Sequence, residues 1–257
     1  MFWTKMHLYT LVPTFIVSIL LAMFIAYKLK NKNDKIKKIP LQIVTIVLLL
    51  LEIWKQIMGI ITGYDTYWIP LHFCSLFLFV LPLSAFYNGK HQEAMKVLGG
   101  VVASCLFMFM LIYPNIIYSD GAIIGAYHYI TFQGGSFFDF HSVLFHGIAL
   151  FGFFLFVFQN LCTFNTKRDL KTIIIFFFGY CVIVGTISQL IETNYNNFYH
   201  SNAPFLENLR LMMIDKIGYG GQIIYVMMIS VGTIAVPIIS YYVLRLLSYL
   251  NKKYLIK

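Results

Sequence analysis

The chain is poor in charged residues, since Asp, Glu, Lys and Arg make up only 11% of its 257 positions. Soluble domains carry about 25% charged and about 45–50% apolar residues, whereas the apolar share here is 60%. Too few polar side chains remain to cover the outside of a soluble domain of this length. The same figures exclude a disordered chain and a nucleic-acid-binding domain, so a membrane-embedded protein remains.

Cysteine is also scarce, and its residues form no recognisable motif. The four are Cys74, Cys105, Cys162 and Cys181, each in or beside an apolar run. None has CxxC spacing, so no disulfide framework is indicated. The chain also has no HExxH-type spacing and no internal repeat, which are signatures of zinc proteases and of inverted-repeat transporters.

Seven apolar stretches are long enough to cross a hydrocarbon layer of roughly 30 Å as helices. They cover approximately residues 8–27, 40–61, 68–88, 96–113, 142–162, 172–192 and 222–244. Each is apolar almost all round, as lipid-embedded helices are, and none alternates like a barrel strand. We therefore expect an all-α polytopic membrane helix bundle that forms one domain over residues 1–257.

The net charge of +9 follows the predicted topology. Of the nineteen Lys and Arg residues, fifteen lie on one side of the spans and only Lys5, Arg210 and Lys216 lie on the other. Cytoplasmic loops carry the excess of basic residues in membrane proteins, so we expect the N-terminus outside and the C-terminus in the cytoplasm. Because the basic residues follow the first span, we expect an uncleaved helix rather than a signal peptide.

Ionisable residues inside predicted spans mark candidate functional sites. The second span carries Glu52, Lys55 and Gln56. Glu52 and Lys55 are i,i+3 neighbours, so they can pair on one helix face. The pair either neutralises itself as a structural contact or lines a polar cavity.

The third span opens with His72 and Cys74, which lie two residues apart. On a helix this spacing separates them by about 200°, so they cannot easily pair with each other. If Cys74 is a nucleophile, its base should come from another helix. Alternatively, Cys74 is a small buried hydrophobe, as free cysteines commonly are. His141 and His146 open the fifth span, and we expect one of them to face inward.

The polar groups of four predicted spans share one outer slab of the membrane, roughly 10 Å deep. We therefore expect them to line one pocket that opens toward the outer leaflet, where a thiol and several imidazoles form a reasonable nucleophile–base set. The candidate catalytic residues are Cys74, His146, His72 and His141. The candidate pocket residues are Glu52, Lys55, Gln56, Gln189, Asn194 and Tyr195.

The order of several short motifs resembles a known family. LHFC (71–74) is followed by YPN (113–115), FFDFHSVLFHG (137–147) and TNYNNFYHSNAP (193–204). Over roughly residues 40–245 the chain resembles the YwaF-type bacterial integral membrane proteins and, more distantly, the eukaryotic transmembrane protein 164 family. The resemblance implies a bacterial plasma membrane protein. It also implies acyl transfer on phospholipid acyl chains, with Cys74 as the nucleophile and His146 as the candidate base.

The expected function is therefore that of a membrane acyltransferase or lipid-acyl hydrolase. Its partners would be membrane lipids or an acyl-chain substrate, with no nucleic acid and no cofactor. Asn194 or Tyr195 would hold the oxyanion of the reacting acyl group.

Two other hypotheses stay open at this stage. In a transporter or small-molecule receptor, Glu52, Lys55 and the histidines would line a proton or solute path. In a metal protein, three histidines, with or without Cys74, would supply the three ligands that a catalytic zinc requires. Those histidines are His72, His141 and His146.

Overall fold

The computed structural model describes residues 3–201 and 203–254, apart from the side chain of residue 116, and it is 81% helical. Within this part of the chain there is no strand. The α-helices are α1 (Lys5–Leu29), α2 (Asp34–Thr62), α3 (Phe77–Phe86), α4 (Gln92–Ile112), α5 (Asp120–Ile130), α6 (Phe137–Phe158), α7 (Thr166–Leu190), α8 (Pro204–Ile217) and α9 (Tyr219–Tyr254). The predicted all-α class is confirmed.

Six of the described helices are long and apolar enough to cross a membrane, namely α1, α2, α4, α6, α7 and α9. The apolar windows of α4 and α6 are 67% and 61% buried, whereas that of α1 is 17% buried. Helices α4 and α6 therefore form the centre of the bundle. The outer helices expose large apolar side chains such as Leu20, Ile60 and Phe178, which suits lipid and would be unfavourable in water.

The region predicted as a third span, 68–88, differs from a single membrane-length helix. A broken segment, Gly63–Leu76, contains two short 3-10 turns and precedes the short helix α3. Pro70 explains part of the break, because proline disfavours helical geometry in the residue before it and has no N–H to donate. Gly63 ends α2 with φ 97°, a conformation that glycine adopts most readily. The predicted angle of about 200° between His72 and Cys74 therefore does not apply.

Polar caps fix where helices α2 and α6 begin. The Ser136 hydroxyl accepts a hydrogen bond from the Asp139 backbone N–H at 3.4 Å, and Asn33 Oδ1 accepts one from the Ile36 N–H at 3.0 Å. Such caps satisfy N–H groups that have no partner within the helix. The cap at Ser136 sets the start of α6 and thereby the depth of the histidines that follow.

Helix α4 approaches α3 closely because it carries a glycine at the contact. A Cβ atom at Gly99 would lie 2.0 Å from the Oγ atom of Ser84. That hydroxyl lies 2.9 Å from the Val80 carbonyl oxygen and 2.7 Å from the Met95 carbonyl oxygen, so it is held on both sides.

We predict that Gly99→Ala lowers the thermal stability of the purified protein. The added methyl group displaces Ser84 from its hydrogen bonds, and overpacking of this kind costs about 1–3 kcal/mol. The matched control is Gly179→Ala on α7, where nothing lies within 4 Å of the added Cβ. Thermal unfolding of both variants in the same detergent checks the prediction, and equal melting temperatures would contradict it.

Candidate functional site

A cavity of about 540 Å³ lies at the end of the bundle where α2 ends and α6 begins. Its wall combines α2, the broken segment, α4, α6 and the turn after α7. The candidate residues on this wall are Glu52, Lys55, His72, Cys74, His141, His146 and Asn194. The structure thus brings seven of the ten candidates to one cavity, while Gln56, Gln189 and Tyr195 lie outside its wall.

Cys74 is the one cysteine on the cavity wall among the described residues, and it is half-buried. Cys105 and Cys181 are buried elsewhere in the bundle. Cys162 is also half-buried, but its sulfur lies 3.5 Å from the Lys96 carbonyl oxygen, away from this cavity. A reagent or substrate that enters the cavity therefore meets a single thiol.

His146 is buried, and its tautomer follows from its hydrogen bond. The Nδ1 atom lies 2.7 Å from the carbonyl oxygen of Ser142, one helical turn earlier. A carbonyl oxygen only accepts hydrogen bonds, so Nδ1 carries the proton and donates it. In the neutral ring Nε2 then keeps the lone pair that a general base requires.

The other two imidazoles on the wall differ in their partners. His72 Nε2 donates to the carbonyl oxygen of Tyr67 at 2.9 Å, which leaves its Nδ1 as the acceptor. His141 is buried, and its Nε2 has no hydrogen-bond partner among the described residues. Buried polar atoms usually have a partner, so a substrate or water in the cavity would complete the hydrogen bonding of this ring.

Glu52 and Lys55 form the predicted ion pair, with the Lys55 Nζ atom 2.7 Å from Glu52 Oε1. Gln56 Nε2 donates to the same carboxylate oxygen at 2.7 Å. Both charged residues line the cavity together with Cys74 and His146. The pair is therefore a structural contact and a part of the polar wall at the same time.

Side chains from α2, α7, the turn after α7 and the segment itself donate hydrogen bonds to the backbone of the broken segment. Four of its carbonyl oxygens each accept a hydrogen bond from a side chain. These pairs are Tyr195 Oη to Thr66, His72 Nε2 to Tyr67 at 2.9 Å, Gln56 Nε2 to Trp68 at 2.8 Å and Tyr180 Oη to Leu71 at 2.9 Å. Gln56 and Tyr195 thus stabilise the broken segment, which forms part of the cavity wall.

Gln189 belongs to a different network, between α7, α8 and α9. Its side chain accepts a hydrogen bond from Gln222 Nε2 at 3.1 Å, and Gln222 Oε1 in turn accepts one from Arg210 at 3.0 Å. Arg210 also pairs with Glu207, and the hydrogen bonds that it donates hold the pKa of that carboxyl below its ordinary value. This network attaches the connecting helix α8 to α9.

The turn after α7 contributes wall residues that sequence reasoning did not single out. Asn196 and Asn197 both line the cavity and have φ values of 51° and 63°. Asparagine tolerates this left-handed conformation better than most residues. Asn196 Nδ2 also donates to the Thr233 hydroxyl at 2.9 Å, which fixes the turn against α9. The asparagine-rich run at 194–197 was the available signal.

The rest of the wall is largely apolar and aromatic. The residues that form this part include Phe73, Phe77, Val102, Leu106, Phe109, Phe138 and Phe145. A cavity of this size with few polar groups is typical of a small-molecule site. The metal hypothesis gains no support, because in residues 3–201 and 203–254 no three His, Cys, Asp or Glu residues are grouped as a metal ion requires.

The fold and the cavity define a multi-pass α-helical membrane protein with a polar site inside the bundle. A model of the TMEM164 family matches residues 2–242, which is nearly the whole chain, and the chain belongs to that family. No curated protein and no solved structure matches it. The family match confirms the more distant of the two resemblances in the sequence.

We predict that Tyr180→Phe destabilises the protein by about 1–3 kcal/mol, because the Leu71 carbonyl loses its donor. The matched control is Tyr241→Phe, because the Tyr241 hydroxyl is also buried but has no hydrogen-bond partner among the described residues. Thermal unfolding of the two variants compares them directly. An equal effect at both positions would show that the hydrogen bond to the broken segment is unimportant.

Proposed function

We propose that this protein is a membrane lipid acyltransferase or acyl hydrolase that uses Cys74 as its nucleophile and His146 as its base. The observation that carries the proposal is the composition of one cavity: a single thiol, three imidazoles and a largely aromatic wall. Thiol and imidazole are the usual pair for covalent acyl transfer. Membership of the TMEM164 family is consistent with this activity.

In the first half-reaction the Cys74 thiol passes its proton to Nε2 of His146. The thiolate attacks the carbonyl carbon of a lipid ester, and the ester C–O bond breaks. The leaving lysolipid oxygen takes the proton back from His146, and the acyl group remains on Cys74 as a thioester. Transfer to sulfur needs no cofactor.

In the second half-reaction the acyl group leaves Cys74. A hydroxyl group gives its proton to His146 and attacks the thioester carbonyl, and the C–S bond breaks. The released thiolate takes the proton from His146, which restores the Cys74 thiol and the neutral imidazole. If the hydroxyl belongs to a lysolipid, the result is acyl transfer, and if it belongs to water, the result is hydrolysis. The aromatic wall would hold the acyl chain and limit the access of water.

Asn194 is the better placed of the two oxyanion candidates. It lies on the cavity wall, whereas Tyr195 is fully buried and bonds the Thr66 carbonyl. Asn194 Oδ1 accepts from the His200 backbone N–H at 3.4 Å, which leaves the Nδ2 hydrogens as donors. A donor aimed at the developing negative charge lowers the barrier of acyl transfer.

We predict that Cys74→Ala, Cys74→Ser and His146→Ala abolish acyl exchange. The assay incubates the purified protein in liposomes with a phospholipid carrying an isotope-labelled acyl chain and with an unlabelled lysolipid, and mass spectrometry follows the label. Loss of a nucleophile or its base commonly lowers rates by a factor of the order of 10⁴ or more.

Cys162→Ala is the matched control, because it removes a half-buried thiol outside the cavity and should leave exchange unchanged. All variants are compared at equal amounts of folded protein. Unchanged exchange in Cys74→Ala would exclude the nucleophile.

We also propose that the protein is of the bacterial YwaF type and lies in the plasma membrane, with Cys74 near the outer leaflet. The excess of Lys and Arg at the other end of the bundle supports this orientation. Alkaline phosphatase fused after Lys257 should be inactive in bacterial cells, and green fluorescent protein fused there should fluoresce. The reverse pair of results would invert the orientation.

A further inference from the structure

A second cavity, of about 570 Å³, lies at the opposite end of the bundle from Cys74. Its wall is formed where α1 and α6 end, where α2 and α4 begin, and by Asn251 of α9. On α4 this cavity reaches Lys96, while the Cys74 cavity starts at Val102. The buried residues 97–101 separate the two, so the second cavity is a site of its own.

The wall of this cavity is positively charged. Its charged residues are Lys30, Lys37, Lys38, Lys96, Asp34 and Glu93. Lys96 is neutralised by Glu93, since their nitrogen and oxygen atoms lie 2.6 Å apart. Lys38 is buried and donates to the uncharged Asn88 side chain at 3.2 Å. Lys37 and Lys38 therefore share the cavity with one further carboxylate, Asp34, and the excess charge favours an anionic ligand.

Gln159 supplies a second and independent indication of a ligand. It caps the end of α6, it lines the cavity, and only 9% of its surface is exposed. Neither its Nε2 nor its Oε1 atom has a hydrogen-bond partner among the described residues. A buried amide without partners is unfavourable, because it has lost its hydrogen bonds to water. A ligand that accepts from Nε2 and donates to Oε1, directly or through water, would remove this cost.

We propose that this cavity binds a phosphate-bearing anion through Lys37, Lys38 and the Gln159 amide. A phosphate accepts hydrogen bonds from ammonium and amide groups, and a hydroxyl of inorganic phosphate or of a lipid headgroup such as glycerol can donate in return. The cavity lies where the bundle meets the membrane surface, and its wall includes apolar residues such as Met23, Leu29 and Phe158. Basic pockets between membrane helices at this depth commonly bind lipid headgroups. A lipid phosphate is therefore the expected source, and a soluble phosphate compound is the other.

The test measures the melting temperature of the full chain in detergent during titration with phosphatidylglycerol, phosphatidylcholine or inorganic phosphate. Phosphatidylglycerol should raise the melting temperature with saturation, and phosphatidylcholine should raise it less. Lys37→Gln should increase the half-saturating concentration of phosphatidylglycerol about fivefold, since one lysine contributes on the order of 1 kcal/mol to such contacts.

Gln159→Leu provides a second variant that should fold without difficulty, because its amide makes no hydrogen bond within the described part of the chain. It should match or exceed the wild type in stability without lipid, yet bind phosphatidylglycerol more weakly. Lys171→Gln is the matched control: it removes one charge at the same end of the bundle but lies outside the cavity.

Each outcome decides the proposal. If inorganic phosphate reproduces the stabilisation with the same dependence on Lys37 and Gln159, the phosphate site stands and its ligand is soluble. If only phosphatidylglycerol does so, the ligand is a lipid. If Lys37→Gln and Lys171→Gln weaken the effect equally, or no phosphate compound stabilises the protein, the cavity is not a phosphate site and the proposal is wrong.

Discussion

The satisfaction of backbone hydrogen bonds inside the membrane is the constraint on which the site depends. No water is available in the hydrocarbon layer, so a break in a helix is tolerated only where protein groups or a cavity replace the lost bonds. The broken segment Gly63–Leu76 meets this condition because side chains of α2, α7 and the turn after α7 donate to its carbonyl oxygens. The cavity exists because the third apolar stretch is not a full helix.

The same break explains how a thiol and an imidazole two residues apart reach one cavity. On a helix His72 and Cys74 would point in nearly opposite directions. Here His72 lies just before a 3-10 turn, bonded to the Tyr67 carbonyl, and Cys74 lies within that turn. Helix α6 then brings His141 and His146 from the other side. The irregular backbone thus carries Cys74, and the regular helix α6 carries two of the imidazoles that face it across the cavity.

Much of the fold could be predicted from the sequence, because long apolar runs without charges have few alternatives to membrane helices. The gathering of Glu52, Lys55, Cys74 and His146 also followed from their shared depth. The roles of Gln56 and Tyr195 could not, since they donate to carbonyl groups of a segment whose irregular path around Pro70 is known only from the structure. Asn196 reaches the wall through a left-handed turn, which depends on tertiary contacts that composition does not encode.

The excess of lysine at one end of the bundle serves orientation and also charges a cavity wall, and the sequence alone does not distinguish these two effects. The positive-inside rule accounts for lysines at one end of the bundle, and it requires nothing of where each side chain lies. The structure places Lys37 and Lys38 at a cavity together with the Gln159 amide, which has no hydrogen-bond partner in the described part of the chain. Between this cavity and Cys74, α4 is buried and packs through Gly99 against α3. A solute path between the two cavities would have to separate these packed helices, so the geometry favours the two proposed sites over a transport channel.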